Sequence, residues 1–258
     1  VRILKNAGAK ESVVDWTRKY FRCPVCESSI KPGLPRPASG RKTYAFNKLA
    51  GLDYFFHMFQ HKSFTWLNCL CWGTSRMIVA LQTKPLLALR TFKMFIKHWV
   101  NHYGWPEIVI CDQGKEFFGE DFTSRVRENG CLVHFIDAKS PWQNGPTERA
   151  GGVYKELLDK TIVDASIADE EEYKMAAQAT LTARNARADR SGFSPDQRAF
   201  GRSIRLPGHL LSDDRVDSDL LVEQASDELQ RQWEIQDAAA RATVTRRDKT
   251  ALKVALSS

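Results

Sequence analysis

The spacing of apolar and polar residues changes along the chain, and from residue 44 onward it is typical of a mixed α/β domain. Three short apolar runs, separated by turn signals, predict strands at about residues 50–59, 65–72 and 76–81. Because only short turns join these strands, we expect them to form an antiparallel meander.

Helical spacing follows the third predicted strand. Residues 85–103 carry one apolar stripe, which is most simply a face packed on the core: Leu89, Phe92, Phe95, Ile96, Trp99 and Val100. An irregular loop is expected at 137–143. For the remaining part we predict strands at 108–111 and 131–136 and helices at 120–129, 146–165 and 170–188.

The two ends of the chain differ from this domain. After a modest helical pattern, residues 31–40 are rich in proline and glycine and predict a linker. Beyond residue 202 the chain becomes loop-like and then charged and alanine-rich, which predicts a solvent-facing helix with little core of its own. We therefore predict an N-terminal segment (1–40), a central domain (41–202) and a mostly helical tail (203–258).

The chain begins at Val1 rather than at a methionine. We expect it to be a segment of a longer polypeptide, although an artificially shortened chain would look the same. No stretch reaches the ~20 apolar residues that a membrane-spanning helix needs, and no charged and then apolar leader is readable at the N-terminus. We therefore expect no membrane partner.

The net charge of +7 is concentrated near the N-terminus. Residues 1–50 hold 11 Lys and Arg against 3 Asp and Glu, whereas the remaining residues hold 27 against 28. A basic segment beside a near-neutral domain fits an arm that binds a polyanion such as a nucleic acid. A solvated basic linker explains the charge equally well.

The 6 cysteines do not suggest the disulfide framework of a secreted protein in a chain of this size. Four of them lie in or beside apolar runs: Cys69, Cys71, Cys111 and Cys131. We expect these four to be buried thiols in a reducing, intracellular compartment.

Three acidic residues are the candidates for chemistry. Asp53 lies inside the first predicted strand, Asp112 follows the fourth, and Glu148 falls in the first turn of the helix that begins near Pro146. The separation of 35 residues between Asp112 and Glu148 is not evidence by itself, because a chain with 31 acidic residues is expected to contain such a pair by chance. The interpretation of these acids as a site depends on the position of Asp112 at the end of a strand and of Glu148 at the start of a helix.

Clustered carboxylates repel one another unless cations neutralise them, and Mg²⁺ or Mn²⁺ prefers such oxygen ligands. We predict a divalent-metal site for phosphoryl transfer in which Asp53 bridges two ions and Asp112 and Glu148 each complete the shell of one. The local context also fits a plainer interpretation, in which Asp112 is a turn residue and Glu148 stabilises the helix dipole.

Three further residues are candidate DNA contacts. Lys155 lies two helical turns after Glu148 on the same face, where its charge would hold a phosphate, although an ordinary surface lysine looks the same. Asn144 either contacts a base or sugar or only shapes the turn before the helix. Gln143 has the same two interpretations.

Cys23 and Cys26 are separated by two residues, as in half of a tetrahedral zinc site. Zinc needs two further ligands, and no histidine precedes the pair in this chain. A redox motif has the same spacing, but no thioredoxin-like context surrounds it. The pair is therefore half of a motif.

Two segments give the chain a family resemblance. Residues 110–117 (ICDQGKEF) resemble the DNG/DQG-x-EF segment of the integrases of long-terminal-repeat retrotransposons and retroviruses. Residues 140–149 (SPWQNGPTER) resemble the P-x-x-NG-x-x-ER loop and helix start of the same family, and residues 193–202 are similar to the stretch that follows its core. The resemblance covers residues 1 to about 206.

This resemblance implies a ribonuclease-H-like fold, a five-stranded mixed sheet flanked by helices, with the three carboxylates at one edge of the sheet. It implies that Asp53, Asp112 and Glu148 are catalytic with Mg²⁺ or Mn²⁺, and that Lys155 contacts DNA ends. The implied activity is trimming of the 3′ ends of an element's DNA and their joining to target DNA, carried out in the nucleus by a homo-oligomer.

By the same resemblance, Cys23 and Cys26 match the second half of the family's zinc-binding domain. The two histidines of that domain would lie upstream of Val1, so binding of Zn²⁺ depends on ligands outside this chain. Two alternatives remain open: a related transposase or nuclease of the same fold, and a non-catalytic DNA-binding remnant of a retroelement.

Overall fold

The computed structural model of the chain describes residues 9–20, 45–82, 85–136, 144–188, 192–204 and 227–257. These residues belong to two compact units. The first unit contains residues 9–20, which include helix α1 (Glu11–Tyr20), together with residues 250–257. The second contains the described residues from 45 to 249. The domain boundaries expected from the sequence stay predictions.

The second unit is built on a five-stranded mixed sheet with the strand order β3-β2-β1-β4-β5. β1, β2 and β3 form the predicted antiparallel meander, while β4 runs parallel to β1 and β5 runs parallel to β4. All five strands overlap the predicted segments: β1 (Leu49–Phe59), β2 (Lys62–Cys71), β3 (Met77–Gln82), β4 (Ile108–Cys111) and β5 (Leu132–Phe135).

Helices cover both faces of this sheet. One face is covered by α2 (Ala88–Phe95), which continues through a π-helical segment (Ile96–Val100) into α3 (Asn101–Tyr103), and by α4 (Lys115–Phe118) and α5 (Glu120–Glu128). The other face is covered by α6 (Gly145–Asp164), α7 (Glu170–Ala186) and, after the short α8 (Pro195–Phe200), by part of α9 (Asp227–Ser257). Within the described ranges, no helix is long and apolar enough to span a membrane.

The sheet separates two large core clusters, and a third, small cluster contains Leu49, Ile110 and Ile136. On the α6 side, the cluster includes Phe55, Trp66, Tyr154 and Tyr173. Since side chains alternate along a strand, Asp53 shares this side with Phe55. The cluster on the opposite side includes Leu52, Leu67, Phe95, Trp99 and Phe122. Burial of Phe95 and Trp99 confirms that the aromatic stripe of residues 85–103 belongs to the core.

The four cysteines in apolar runs are buried free thiols, as predicted: Cys69, Cys71, Cys111 and Cys131. Burial raises the pKa of Cys131 to about 11 and the pKa values of Cys69 and Cys111 further. Cys69, Cys111 and Cys131 are therefore protonated at neutral pH and act as small apolar side chains.

Helix α9 corrects one expectation. Ile235 and Ala238 are buried in the same cluster as Tyr173, so this part of the helix packs on the core. Arg231 adds two hydrogen bonds to the Glu172 carboxylate of α7, at 2.6 and 3.0 Å. The prediction of a solvent-facing helix is wrong here because the small side chain of alanine allows close packing without adding a clear apolar stripe to the sequence.

Candidate active site

The pairing of β1 with β4 brings two of the predicted acids to neighbouring positions. The two strands run parallel, with Gly51 opposite Ile110. Continued by two residues, this register sets Asp53 beside Asp112, at the point where β4 ends. The order of strands in the sheet therefore positions both carboxylates.

Asp112 is held in a tight turn. Its Oδ1 accepts a hydrogen bond from the N–H of Gly114 at 3.0 Å, and Gln113 Nε2 donates to the carbonyl oxygen of Ile136 at 3.1 Å. A Cβ atom on Gly114 would come within 2.8 Å of the Glu116 carboxyl group and 3.0 Å of Asp112 Oδ1. A side chain at residue 114 would therefore displace the Glu116 carboxyl group, and Asp112 has the turn role that the sequence suggested beside a catalytic one.

Glu116 is a further carboxylate at this end of the sheet, and it was not among the predicted site residues. The pKa values of Tyr54 and Cys111 are both raised, first by burial and then by nearby charges. The charge of Glu116 is one of them. Glu116 reaches this position because the short helix α4 begins directly after Gly114. Its spacing of four residues from Asp112, about one helical turn, was the available signal.

Glu148 lies in the first turn of α6, as predicted, and is exposed to solvent. Pro146 occupies the same turn, where its missing N–H leaves no helical hydrogen bond unmade. The intervening Thr147 is buried: its Oγ1 accepts a hydrogen bond from Trp72 Nε1 at 3.0 Å, and its carbonyl oxygen accepts one from Asn68 Nδ2 at 3.1 Å. These two bonds fix the start of α6, and with it Glu148, against β2.

Gly51 allows α6 to approach the sheet this closely. A Cβ atom at this position would lie 2.0 Å from Thr147 Oγ1 and 2.5 Å from Trp72 Nε1, which is closer than any real contact. A side chain at residue 51 would therefore push away the helix turn that carries Glu148.

The predicted acids and Lys155 share one electrostatic environment. The pKa of Asp53 is raised from its ordinary 3.8 to about 7, first by burial, then by the charge of Asp112 and, less strongly, by that of Glu148. A hydrogen bond from the Tyr54 N–H and the charge of Lys155 act in the opposite direction. Negative charge is thus destabilised at Asp53, and a nearby cation would stabilise it.

An open cleft of about 400 Å³ lies between this edge of β1 and the start of α6. Lys155 Nζ is 5.9 Å from the centroid of the Phe55 ring, so the lysine is at the same cleft as Asp53 and Glu148. Its contact with a DNA phosphate stays a prediction. The lining residues are Asp53, Tyr54, Phe55, Phe56, Glu148, Gly151, Gly152 and Lys155.

The oxygen atoms of these carboxylates are suitable ligands for a divalent cation, but the carboxylates do not lie close enough together to form a complete ligand set. Among the described residues, no three His, Cys, Asp or Glu side chains lie close enough together to hold one ion. The donor atoms are the oxygens that Mg²⁺ and Mn²⁺ prefer, and the pKa of Asp53 is raised by burial and then by the charges of Asp112 and Glu148, so a nearby cation would favour its charged form. The residues present therefore fit such a cation, whose binding stays a prediction.

Asn144 has a structural role in this arrangement. It is 1% exposed, and its Nδ2 donates to the carbonyl oxygen of Leu52 at 3.3 Å. Of the two roles predicted for it, this geometry favours shaping of the turn before α6, and a DNA contact would require the side chain to leave its buried position. Gln143, Cys23 and Cys26 lie outside the described residues, so their DNA-binding and zinc-binding roles stay predictions.

The sequence was compared with known proteins. No family model matches the chain. The Pro-Pol polyprotein of feline foamy virus is 26% identical to it over 102 residues, which are 40% of this chain and 9% of the polyprotein. The chain thus matches less than a tenth of the length of this curated relative.

Solved structures of viral proteins have the same fold. A chain of the simian T-cell lymphotropic virus intasome, in complex with PP2A regulatory subunit B56 gamma, has a TM-score of 0.57 and 16% identity over 80% of this chain and 72% of its own. The dimeric form of the HTLV-2 integrase catalytic core domain in complex with magnesium has a TM-score of 0.51 and 17% identity over 61% of this chain and 99% of its own. The trimeric form gives the same TM-score with 18% identity. These likenesses confirm the predicted ribonuclease-H-like fold.

Proposed function

We propose that this chain, which is a homologue of the retroviral integrases, is the catalytic core of a polynucleotidyl transferase that acts on DNA. In the proposed reaction it first trims the 3′ ends of an element's DNA and then joins those ends to target DNA. The likenesses in fold and sequence support an integrase-type function, and the trimming and joining steps are our proposal.

The observation that carries this proposal is the position of Asp53. The register of β1 and β4 sets it beside Asp112, and its pKa is raised to about 7 by burial first and then by the charges of Asp112 and Glu148. Asp53 and Glu148 line one cleft, and Asp112 acts on Asp53 from the neighbouring strand end. An arrangement that concentrates negative charge in this way opposes folding unless it serves binding of a cation or a reaction.

In this proposal Asp53, Asp112 and Glu148 hold Mg²⁺ or Mn²⁺. A bound cation of this kind lowers the pKa of an attacking oxygen and stabilises negative charge on the leaving oxygen of a phosphoryl transfer. The HTLV-2 integrase core, which shares this fold, is in complex with magnesium. That complex supports the choice of cation for this chain.

The remaining chemistry is a displacement at phosphorus. In trimming, a water oxygen bonds to the phosphorus and the phosphodiester bond to the neighbouring 3′ oxygen breaks, so that this oxygen leaves and takes up a proton. In joining, the 3′-hydroxyl oxygen of the trimmed end attacks a target phosphodiester in the same way. Lys155 would bind a phosphate oxygen of the substrate strand and orient it towards Asp53.

We further propose that the partners are the element's DNA ends, target DNA and further copies of this chain, and that the reaction takes place in the nucleus. The relatives of the same fold are described as a dimer, a trimer and an intasome, which supports assembly of several copies. Zinc remains a proposal that depends on ligands other than Cys23 and Cys26.

The test is a DNA-joining assay with Asp112→Asn. Because the terminal sequence of the element is unknown, the substrate is a branched oligonucleotide that represents a joined product, on which the same displacement runs in reverse. We expect Mg²⁺-dependent resolution of the branch by the wild-type chain and a loss of at least about a hundredfold in the variant. Asp121→Asn is the matched control, since Asp121 lies on α5 in an exposed pair with Arg125.

The outcomes distinguish the alternatives. Equal activity of the wild-type chain and Asp112→Asn would refute the role of the acids. Cleavage of DNA without transfer to a second strand would favour a nuclease of the same fold. Binding of DNA without any change of its bonds would favour a non-catalytic remnant.

A further inference from the structure

One end of the fold carries a concentration of positive charge to which the proposed reaction assigns no role. Three segments meet there: the β2–β3 turn (residues 72–77), the end of α7 (183–188) and α8 with its flanks (192–204). Their described residues include one acid, Asp196, and five arginines, all at least partly exposed to solvent. We call these arginines the arginine end: Arg76, Arg184, Arg187, Arg198 and Arg202.

Three of these arginines hold the β2–β3 turn in place. Arg184 and Arg198 each donate to a backbone carbonyl oxygen of the turn, at 3.0 and 3.1 Å, and Arg76 pairs with Asp196. A carbonyl oxygen satisfies an N–H group but does not neutralise a charge, and the single carboxylate neutralises one. These contacts therefore explain why the arginines stand at the turn, but they do not explain the excess of charge.

The ends of the helices balance only part of this excess. The C-termini of α7 and α8 lie here, and each contributes at most about half a negative charge, so about three of the five positive charges stay uncompensated. The pKa of Arg184 is lowered to about 10, first by partial burial and then by the charges of Arg76 and Arg198. Mutual repulsion of this kind opposes folding, and a bound anion would relieve it.

The arginine end borders the start of α6. Trp72 opens the β2–β3 turn, and its Nε1 donates to Thr147 Oγ1 at 3.0 Å. Thr147 directly precedes Glu148, which lines the cleft. DNA that extends from the cleft past the start of α6 would therefore meet the arginine end. Guanidinium groups suit this role, because they bind phosphate oxygens through paired hydrogen bonds.

We propose that the arginine end binds backbone phosphates of the DNA that extends beyond the cleft, through contacts that do not depend on base sequence. The proposal rests on the proposed function, because it takes DNA as the ligand. It adds a binding surface that is separate from the acids and from Lys155. An acidic segment of a protein would be attracted by the same charge, and that alternative is one outcome of the test.

The test measures binding of a short DNA duplex by the whole 258-residue chain at several salt concentrations, without divalent cation. The variant combines Arg187→Gln with Arg202→Gln and is called the glutamine pair; it leaves the three arginines that hold the β2–β3 turn unchanged. Loss of two phosphate contacts should weaken binding roughly tenfold at about 0.1 M salt and reduce the slope of log affinity against log salt by about 2. Urea unfolding of the glutamine pair should match that of the wild type.

Two further variants are the controls. Arg187→Lys combined with Arg202→Lys keeps both charges and should bind DNA with the wild-type slope. Lys93→Gln combined with Lys97→Gln removes the same charge from exposed positions on α2 and the π-helical segment after it, on the face of the sheet opposite α7. We expect this pair to leave the slope unchanged. An equal reduction in this pair and in the glutamine pair would show a general effect of net charge and would overturn the assignment.

The remaining outcomes separate this inference from the proposed function. Equal slopes for the wild type and the glutamine pair would overturn the arginine end as a DNA-binding surface, even if the chain joins DNA. The same loss in the lysine variant as in the glutamine pair would overturn it too, because charge would then not be the cause. A glutamine pair that loses binding of polyglutamate but not of DNA would assign the surface to an acidic protein segment and overturn it. A slope reduced only in the glutamine pair, in a chain without DNA-joining activity, would support the surface and refute the proposed function.

Discussion

Asn68 lies directly opposite Asp53 in the register of β1 and β2, and its side-chain amide donates to the carbonyl oxygen of Thr147, the residue before Glu148. One buried side chain thus connects the strand that carries the first acid with the helix turn that carries the third. Asn68 Oδ1 is buried and has no hydrogen-bond partner among the described residues. A buried acceptor of this kind opposes folding, so the benefit of Asn68 lies in position more than in stability.

Substitution of Asn68 should therefore separate activity from stability. Asn68→Leu has a similar volume and removes both the hydrogen bond to Thr147 and the unpaired acceptor. We expect the free energy of unfolding to change by about 1 kcal/mol or less. The rate of DNA joining should fall by roughly tenfold or more, because the turn that carries Glu148 loses an anchor. Urea unfolding and the joining rate at saturating DNA measure the two effects.

Thr180→Val is the control for this prediction. Thr180 is buried between α7 and α6, and its Oγ1 donates to Thr161 Oγ1 at 3.1 Å, with no contact to the acids. We expect a loss of about 1 kcal/mol in stability and an unchanged joining rate. If both variants lose activity in proportion to stability, Asn68 has no positioning role.

Asp53→Asn should stabilise the folded chain when no divalent cation is present. The pKa of Asp53 is about 7 in the folded chain, against an ordinary 3.8, so the folded state holds this proton more tightly than the unfolded state does. The resulting destabilisation is absent below pH 3.8, grows as the pH rises and is complete above about pH 7. At about pH 8 the variant should be more stable by roughly 1–2 kcal/mol, and by less at about pH 5.

Addition of Mg²⁺ or Mn²⁺ should reverse this order. A cation that binds only the folded chain raises its melting temperature, and the neutral amide that replaces the carboxylate in Asp53→Asn would bind it poorly. We expect thermal unfolding to respond to either cation in the wild type and only weakly in the variant. A wild-type melting temperature that neither cation changes would contradict the proposed site.

Lys155→Gln tests the phosphate contact. Removal of one charge that neutralises a phosphate should weaken DNA binding about equally for all sequences and reduce the slope of log affinity against log salt by about 1. Lys160→Gln is the matched control, since Lys160 lies on the same helix and pairs with Glu156. Binding isotherms at several salt concentrations provide the slopes. Equal slopes for both variants would show that Lys155 makes no specific phosphate contact.

The positions of the acids in the fold could be predicted because they depend on local signals and on strand order. A carboxylate inside the first strand and another at the end of the fourth become neighbours once β1 and β4 pair in parallel. Glu148 followed from the proline and the turn before α6. These three positions needed no knowledge of side-chain packing.

The supporting residues could not be predicted, because they act through contacts between distant parts of the chain. Asn68 and Thr147 are 79 residues apart; Asn68 belongs to no recognisable motif, and Thr147 occupies a variable position of the 140–149 segment. The need for glycine at residue 51 arises from the approach of Thr147 and Trp72.

Ile235→Ala tests the correction made for α9. Ile235 is 1% exposed in the core cluster that contains Tyr173, so its truncation should lower the free energy of unfolding by about 2–4 kcal/mol. Leu252→Ala is the control, because Leu252 lies on the same helix but is 62% exposed, and we expect a change within about 0.5 kcal/mol. Urea unfolding of both variants measures the two changes in the free energy of unfolding. Equally small losses would mean that α9 adds nothing to the core and that the solvent-facing helix expected from the sequence was right.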